Sequence, residues 1–146
     1  MLRYFYNLYF QYETAEENIS NMFNIGYFST KKRAIEILNS LKSKEGFNQY
    51  SVECFKISKL GMHLNSEIKD KSGLILFELA HDYEVDEIIN WTIFGIYQSK
   101  EDAQIEILKQ KSKKPYKFFT NGFHINIWIV DKQIEWQDGF LNYTCK

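Results

Sequence analysis

The chain carries one pattern twice. Leu8-x-Phe10-x-Tyr12-Glu13 returns as Leu79-x-His81-x-Tyr83-Glu84, and Gly26-x-Phe28-x-Thr30-Lys31-x-x-Ala34 returns as Gly95-x-Tyr97-x-Ser99-Lys100-x-x-Ala103. Gly46-Phe47 is matched by Pro115-Tyr116, and Tyr50-x-Val52-x-x-Phe55 by Phe123-x-Ile125-x-x-Trp128. An internal repeat restricts the fold more than any single residue can. Each copy must be one supersecondary unit that buries an apolar face against its neighbour.

Each copy reads β-β-α-β. In the first, Leu2, Tyr4, Tyr6, Leu8, Phe10 and Tyr12 alternate with the other residues, as in a half-buried strand. Residues 13–20 turn the chain, and 22–28 return as a second strand, where Gly26 marks a close backbone approach or a bulge. Thr30 is suited to cap a helix over 31–42. On that helix Ala34, Ile37, Leu38 and Leu41 share one face. A third strand is predicted over 50–57. The second copy repeats the plan with strands over 74–83, 91–97 and 123–130. Its helix, over 100–111, is capped by Ser99, and Asp102 completes a capping-box-like pair.

The offset between copies is 71 from Leu8 to Leu79, 69 from Gly26 to Gly95 and 73 from Tyr50 to Phe123. The second copy is therefore expected to have a hairpin loop two residues shorter and a post-helix loop four residues longer. The expected fold class is α+β. Two tandem units, 1–60 and 74–146, are joined through 61–73 and related by a pseudo-twofold. Each has an antiparallel sheet of order 2-1-3 under one helix. Units of this size are marginal alone, so the two must pack together, by sharing a sheet or by stacking.

Composition excludes more than it selects. A net charge of −1 over 146 residues argues against a whole-surface nucleic-acid binder. No apolar run is long enough to span a bilayer. Residues 1–7 have none of the parts of a signal peptide, so a cytoplasmic protein without membrane contact is expected. Cys54 and Cys145 are read as free thiols of a reducing compartment. Asn18-x-Ser20, Asn90-x-Thr92 and Asn142-x-Thr144 are chance matches to the glycosylation pattern in such a compartment. No His-x-x-x-His, Cys-x-x-Cys, Walker loop or nucleophile elbow is present, so no enzyme, metal or cofactor is expected.

Five groups of residues carry candidate chemistry. His81 stands where the first copy has Phe10 and reads as a structural histidine, with Asp82 and Glu84 on the opposite strand face. Asp82, Glu84, Asp86 and Glu87 put four carboxylates into six residues at a hairpin tip. They form either a solvated turn or an acidic epitope for a basic partner, and Glu13, Glu16 and Glu17 make the first hairpin partly acidic too. Lys109, Lys111, Lys113, Lys114 and Lys117 complement the dipole of the second helix, or bind phosphate with Tyr116, Phe118 and Phe119 stacking on bases. Tyr9, opposite in parity to its aromatic neighbours, is expected to be exposed and suited to an interface. Trp136-Gln137-Asp138-Gly139-Phe140 closes the second unit as a packing cap, with partner contact as its second role. Its faint echo in the first unit is Leu60-Gly61-Met62.

The second copy resembles a family of small bacterial β-β-α-β domains of unassigned activity. The residues that carry this are Leu79-x-His81-x-Tyr83-Glu84, Ile93-x-Gly95-Ile96-Tyr97-x-Ser99, Ala103, Phe123-x-Ile125-x-x-Trp128-x-Val130-Asp131 and Trp136-x-x-Gly139-Phe140. The first copy departs from it at Phe10 and lacks the closing tryptophan. In type, though not in motif, the chain also resembles the immunity proteins of bacterial toxin systems, which are diverse α+β folds that act by binding. That resemblance implies a cognate toxin, such as a nuclease, as partner. The contact residues would be Asp82, Glu84, Asp86, Glu87, Tyr9, Trp136 and Asp138. The competing expectation is a small-molecule or nucleotide sensor with His81, Tyr83, His124 and Trp128 in a cleft between the units. The sequence sets no oligomeric state.

Overall fold

The computed structural model describes residues 1–14, 19–64 and 70–139, with the backbone alone for 13, 14 and 19–21. Glu13 as a side chain, and Glu16, Glu17, Asn18, Phe140, Asn142, Thr144 and Cys145, lie outside that description. So do Asn65, Ser66 and Lys69 of the joint. The chain runs β1 (Leu2–Thr14), β2 (Ile19–Phe28), α1 (Lys31–Leu41), β3 (Phe55–His63), then β4 (Ile75–Val85), β5 (Ile88–Tyr97), α2 (Lys100–Gln110) and β6 (Phe123–Ile129). The fold is α+β, with β-β-α-β twice. The sheets are separate and antiparallel, of orders β2-β1-β3 and β5-β4-β6.

Local chemistry sets the helices. The Thr30 hydroxyl accepts from the Arg33 N–H at 3.1 Å, and the Ser99 hydroxyl from the Asp102 N–H at 3.1 Å. Each satisfies one donor that a helix start leaves unpaired. On α1, Ala34, Ile37 and Leu41 are buried against β1 and its neighbours, with Leu38 packed at the margin. On α2, Ala103 alone is fully buried. The positions matching Ile37 and Leu41 are Glu106 and Gln110, which bond to each other at 2.8 Å. The apolar Ile105 and Leu108 face outward and are exposed.

The sheets stack face to face with the helices outside. Leu8, Phe10 and Ile25 pack under α1 in one core, while Phe5, Tyr27, Met62, Leu76, Ile96 and Trp128 fill a second core between the sheets. β1 is therefore buried on both faces, not half-buried. The sheet edges approach at two places, β3 beside β5 and β2 beside β6. Residues 131–139 then cross from the second unit to the first and strap its outer strand. The Asp131 N–H donates to the Tyr27 carbonyl at 3.0 Å and the Glu135 N–H to the Ile25 carbonyl at 2.8 Å. Ile134 packs on the first core, and Trp136 meets the Phe23 ring edge-on at 4.9 Å. The closing tryptophan thus caps the first unit rather than its own.

The repeat holds at the hairpins and is corrected at the third strand. Leu8 pairs with Gly26 and Leu79 with Gly95, and each pairing is followed by a register shift. The bulge sits beside the glycine in both copies. However, the third strand starts at Phe55: of the predicted 50–57 only 55–57 lie in β3, and 50–54 do not. Tyr50 stacks on Tyr12 from a loop, at 4.5 Å, and Val52–Cys54 is a 3-10 turn opened by the Ser51 hydroxyl. Phe10 pairs with Phe55 and His81 with Phe123, so Phe55 and not Tyr50 is the counterpart of Phe123. The offset there is 68, so the loop after the second helix is one residue shorter rather than four longer. β3 also continues through Gly61 to His63, into the segment read as a joint, and so the echo Leu60-Gly61-Met62 is strand rather than a closing segment.

Candidate functional site

An aromatic box is built at the same place in each unit. In the first, Phe10 lies at the centre with Phe47 and Phe55 edge-on at 4.9 and 5.0 Å. In the second, His81 takes that centre with Tyr116 and Phe123 edge-on at 4.8 and 4.5 Å. Tyr12 stacks on Tyr50 as Tyr83 stacks on Phe119, each pair at 4.5 Å. Such ring geometries stabilise beyond the area they bury.

His81 is 1% exposed, and its Nε2 lies 2.8 Å from the Phe119 carbonyl. A carbonyl only accepts, so Nε2 carries the proton. Nδ1 is then a buried acceptor, and it has no partner among the described residues. The 3-10 turn Thr120–Gly122 closes over the ring: a Cβ on Gly122 would stand 2.7 Å from His81 Nε2 and 2.2 Å from the Asp82 carbonyl. A substrate has no route to this imidazole.

The other residues of the proposed sensor set do not join it. His81 and Tyr83 face α2. His124 and Trp128 are on the opposite face of the same sheet, and Trp128 is sealed in the core between the sheets, 5.8 Å from the Tyr27 ring. His124 is exposed and lies 3.2 Å from the Asp82 carboxylate. Among the described residues no group of three His, Cys, Asp or Glu side chains is placed to hold a metal ion.

Between the sheets is a site that sequence reading missed. Glu78 is 3% exposed, and among the described residues it makes no salt bridge. Its carboxylate accepts from Asn24 Nδ2 at 2.8 Å, from Asn126 Nδ2 at 3.3 Å and from the Tyr27 hydroxyl in a very short contact. Asn7, the equivalent of Glu78 in the repeat, is buried beside it and donates to Asn24 and to the Gly26 carbonyl. Burial first, and then the Glu78 charge, pushes the Tyr27 hydroxyl well above its usual pKa of 10.0. The network ties β2 of one unit to β4 and β6 of the other. Three donors offset the cost of burying the carboxylate, as a charge in a core requires.

The hairpin tip of the second unit is exposed throughout residues 84–90. Asp82, Glu84, Asp86 and Glu87 are all exposed, and so are Val85, Ile88 and Ile89, the last at 63%. The turn has two residues, Asp86 and Glu87, at φ +53° and +66°. Positive φ at both central positions matches the I′ turn, which suits Asn-Gly and Asp-Gly, so Asp86 fits its place and Glu87 stands where glycine is preferred.

The remaining candidates are dispersed. Tyr9 is half-buried with its hydroxyl 3.4 Å from Ser58, and Trp136 and Asp138 belong to the strap on the first unit. All five lysines of residues 109–117 are exposed, and Lys109 lies 3.9 Å from Glu106. Tyr116 and Phe119 are turned inward onto His81 and Tyr83, so Phe118 alone of the three aromatics stands outward. No helix among the described residues is long and apolar enough to cross a membrane. No protein-family model, curated protein or solved structure matches the chain.

Proposed function

We propose that the chain is a binding protein that neutralises a cognate bacterial toxin by direct contact through the β4–β5 hairpin tip. The observation that carries this reading is the turn itself. Asp86 and Glu87 occupy left-handed backbone positions; aspartate tolerates its place, whereas Glu87 stands where glycine is preferred, at a cost of about 1 kcal/mol. Strain of this kind persists where the residue type is needed for another reason. Here the two carboxylates stand beside three exposed aliphatic side chains, the composition of an interface centre with a charged rim. A two-residue turn also presents that surface already ordered, which lowers the entropy lost on binding. The charge selects a basic partner, a property of proteins that grip nucleic acid.

The test starts from the neighbouring genes: a toxin domain encoded there is co-expressed with this chain, and neighbours that encode none count against the reading. The wild type protects growth, and charge reversal at Asp82, Glu84, Asp86 and Glu87 removes protection while the variant stays folded. Protection that survives the reversal sinks the tip as the site. A wild type that neither protects nor forms a complex sinks the reading as a whole.

A further inference from the structure

The outer strands of the two sheets are treated differently. Along β2 runs the strap, whose N–H groups satisfy the carbonyls of Ile25 and Tyr27. It passes so close that a Cβ on Gly26 would stand 2.8 Å from the Gln133 carbonyl. In the repeat, Ile25, Gly26 and Tyr27 correspond to Phe94, Gly95 and Ile96 of β5. Among the described residues no backbone N–H outside the sheet reaches the carbonyls of Phe94 and Ile96. Their place holds an open groove of about 400 Å³ between Gly61, Met62 and His63 of β3 and residues 94–98, with Asp102 in its wall. A Cβ on Gly95 would meet nothing nearer than the Tyr97 hydroxyl at 3.5 Å. Gly95 sits at φ +159°, which itself favours glycine, so the open space rather than the glycine carries the argument.

We infer that this groove docks an extended peptide segment of a partner protein, added to β5 as the strap is added to β2. An unpaired strand edge is a template for such addition, and the volume is that of an ordinary ligand site. The repeat specifies the occupant. Its N–H groups meet the carbonyls of Phe94 and Ile96. An apolar side chain packs on Phe94 and Tyr97 where Ile134 packs in the first unit. Charge selects the rest. Asp102 stands where α1 has Arg33, and among the described residues it makes no ion pair. A carboxylate without an ion pair in the groove wall suits a lysine- or arginine-bearing segment. The inference does not depend on the partner being a toxin.

The experiment uses the full chain, labelled for amide NMR, and two synthetic heptapeptides. One copies residues 133–139, Gln-Ile-Glu-Trp-Gln-Asp-Gly, and the other carries Glu135→Lys and Asp138→Lys. The lysine peptide should shift amides of residues 61–63 and 94–98 and bind several-fold more tightly than its parent. His63→Trp, which fills the groove from an exposed position, should abolish those shifts. Asp102→Lys, on the exposed first turn of α2, should invert the preference between the peptides, and it serves alone if His63→Trp does not fold. Three results overturn the inference. The first is no shift at millimolar peptide. The second is shifts at β2, where a peptide would only be exchanging with the strap. The third is the same shifts arising with protein concentration alone, which would put a second copy in the groove.

Discussion

Phe10 and His81 occupy the same place in two copies of one unit, and the cores around them are not equal. Phe10 is fully buried among carbon rings, under a helix whose inner face is Ala34, Ile37, Leu38 and Leu41. His81 has matching ring neighbours but carries a buried nitrogen with no partner among the described residues, under a helix that offers Glu106 and Gln110. The first unit is built for stability. The second is held in place by the core between the sheets, the Glu78 network and the strap. On the proposed reading its edge and hairpin serve binding, and stability conceded at a site of function is the usual pattern.

The largest expected effect comes from breaking the stronger half. Phe10→Ala should lose about 3–5 kcal/mol in urea unfolding, since it empties the centre of an aromatic cluster. Exchanging the two centres sharpens the contrast. Phe10→His should cost about 2 kcal/mol by burying an imidazole, while His81→Phe should stay within about 1 kcal/mol of wild type. Equal losses from both exchanges would show the two boxes to be energetically alike.

Next is the bond between the halves. Glu78→Ala strands the donors of Asn24, Asn126 and Tyr27 and should cost about 3 kcal/mol, with Glu78→Gln losing less than half of that. The same network predicts an alkaline limb. Burial and the Glu78 charge raise the Tyr27 pKa above the 10.0 of the unfolded chain. The folded state therefore holds the phenolic proton more tightly. That stability is fully present below about pH 10 and is lost as pH climbs toward the raised value, by up to about 1.4 kcal/mol per pH unit. Tyr27→Phe should flatten the limb without abolishing it, because burial also raises Tyr97 and Tyr12. An unchanged limb would remove Tyr27 as its source.

Smaller effects come from making the second unit more like the first. Glu106→Ile with Gln110→Leu restores the apolar inner face on α2 and should add about 1–2 kcal/mol, read as a higher Tm. At the tip, Asp86→Asn with Glu87→Gly suits the turn better and should add about 0.5–1 kcal/mol while weakening partner binding. A variant both more stable and equally tight would contradict the role given to the two carboxylates of the turn.

Signals held within one segment were legible in the sequence. Thr30 and Ser99 cap helices within a residue of their predicted ends, and Gly26 and Gly95 mark bulges, because these preferences are local. The third strand was misaligned because Tyr50 and Val52 carry the apolar spacing of a strand while serving a loop that stacks on Tyr12. Glu78 was invisible for the opposite reason. In Leu76-Phe77-Glu78-Leu79 it reads as the solvent side of a half-buried strand, and only a second sheet on that face buries it. Its one signal was positional: Asn7 and Glu78 are polar at matching places of the repeat, which a solvent-facing position would not require. Trp136 reads as part of the unit it follows, since nothing local shows that the chain crosses to Phe23.

The division of labour between the halves is tested most directly by native-state hydrogen exchange across a denaturant series. Amides of β1 and α1 should exchange only through global unfolding, while those of α2 and outer β5 exchange through an opening of lower free energy. If α2 amides proved as protected as those of α1, the two units would be equally stable, and the account of one supporting half and one half left free for binding would be wrong.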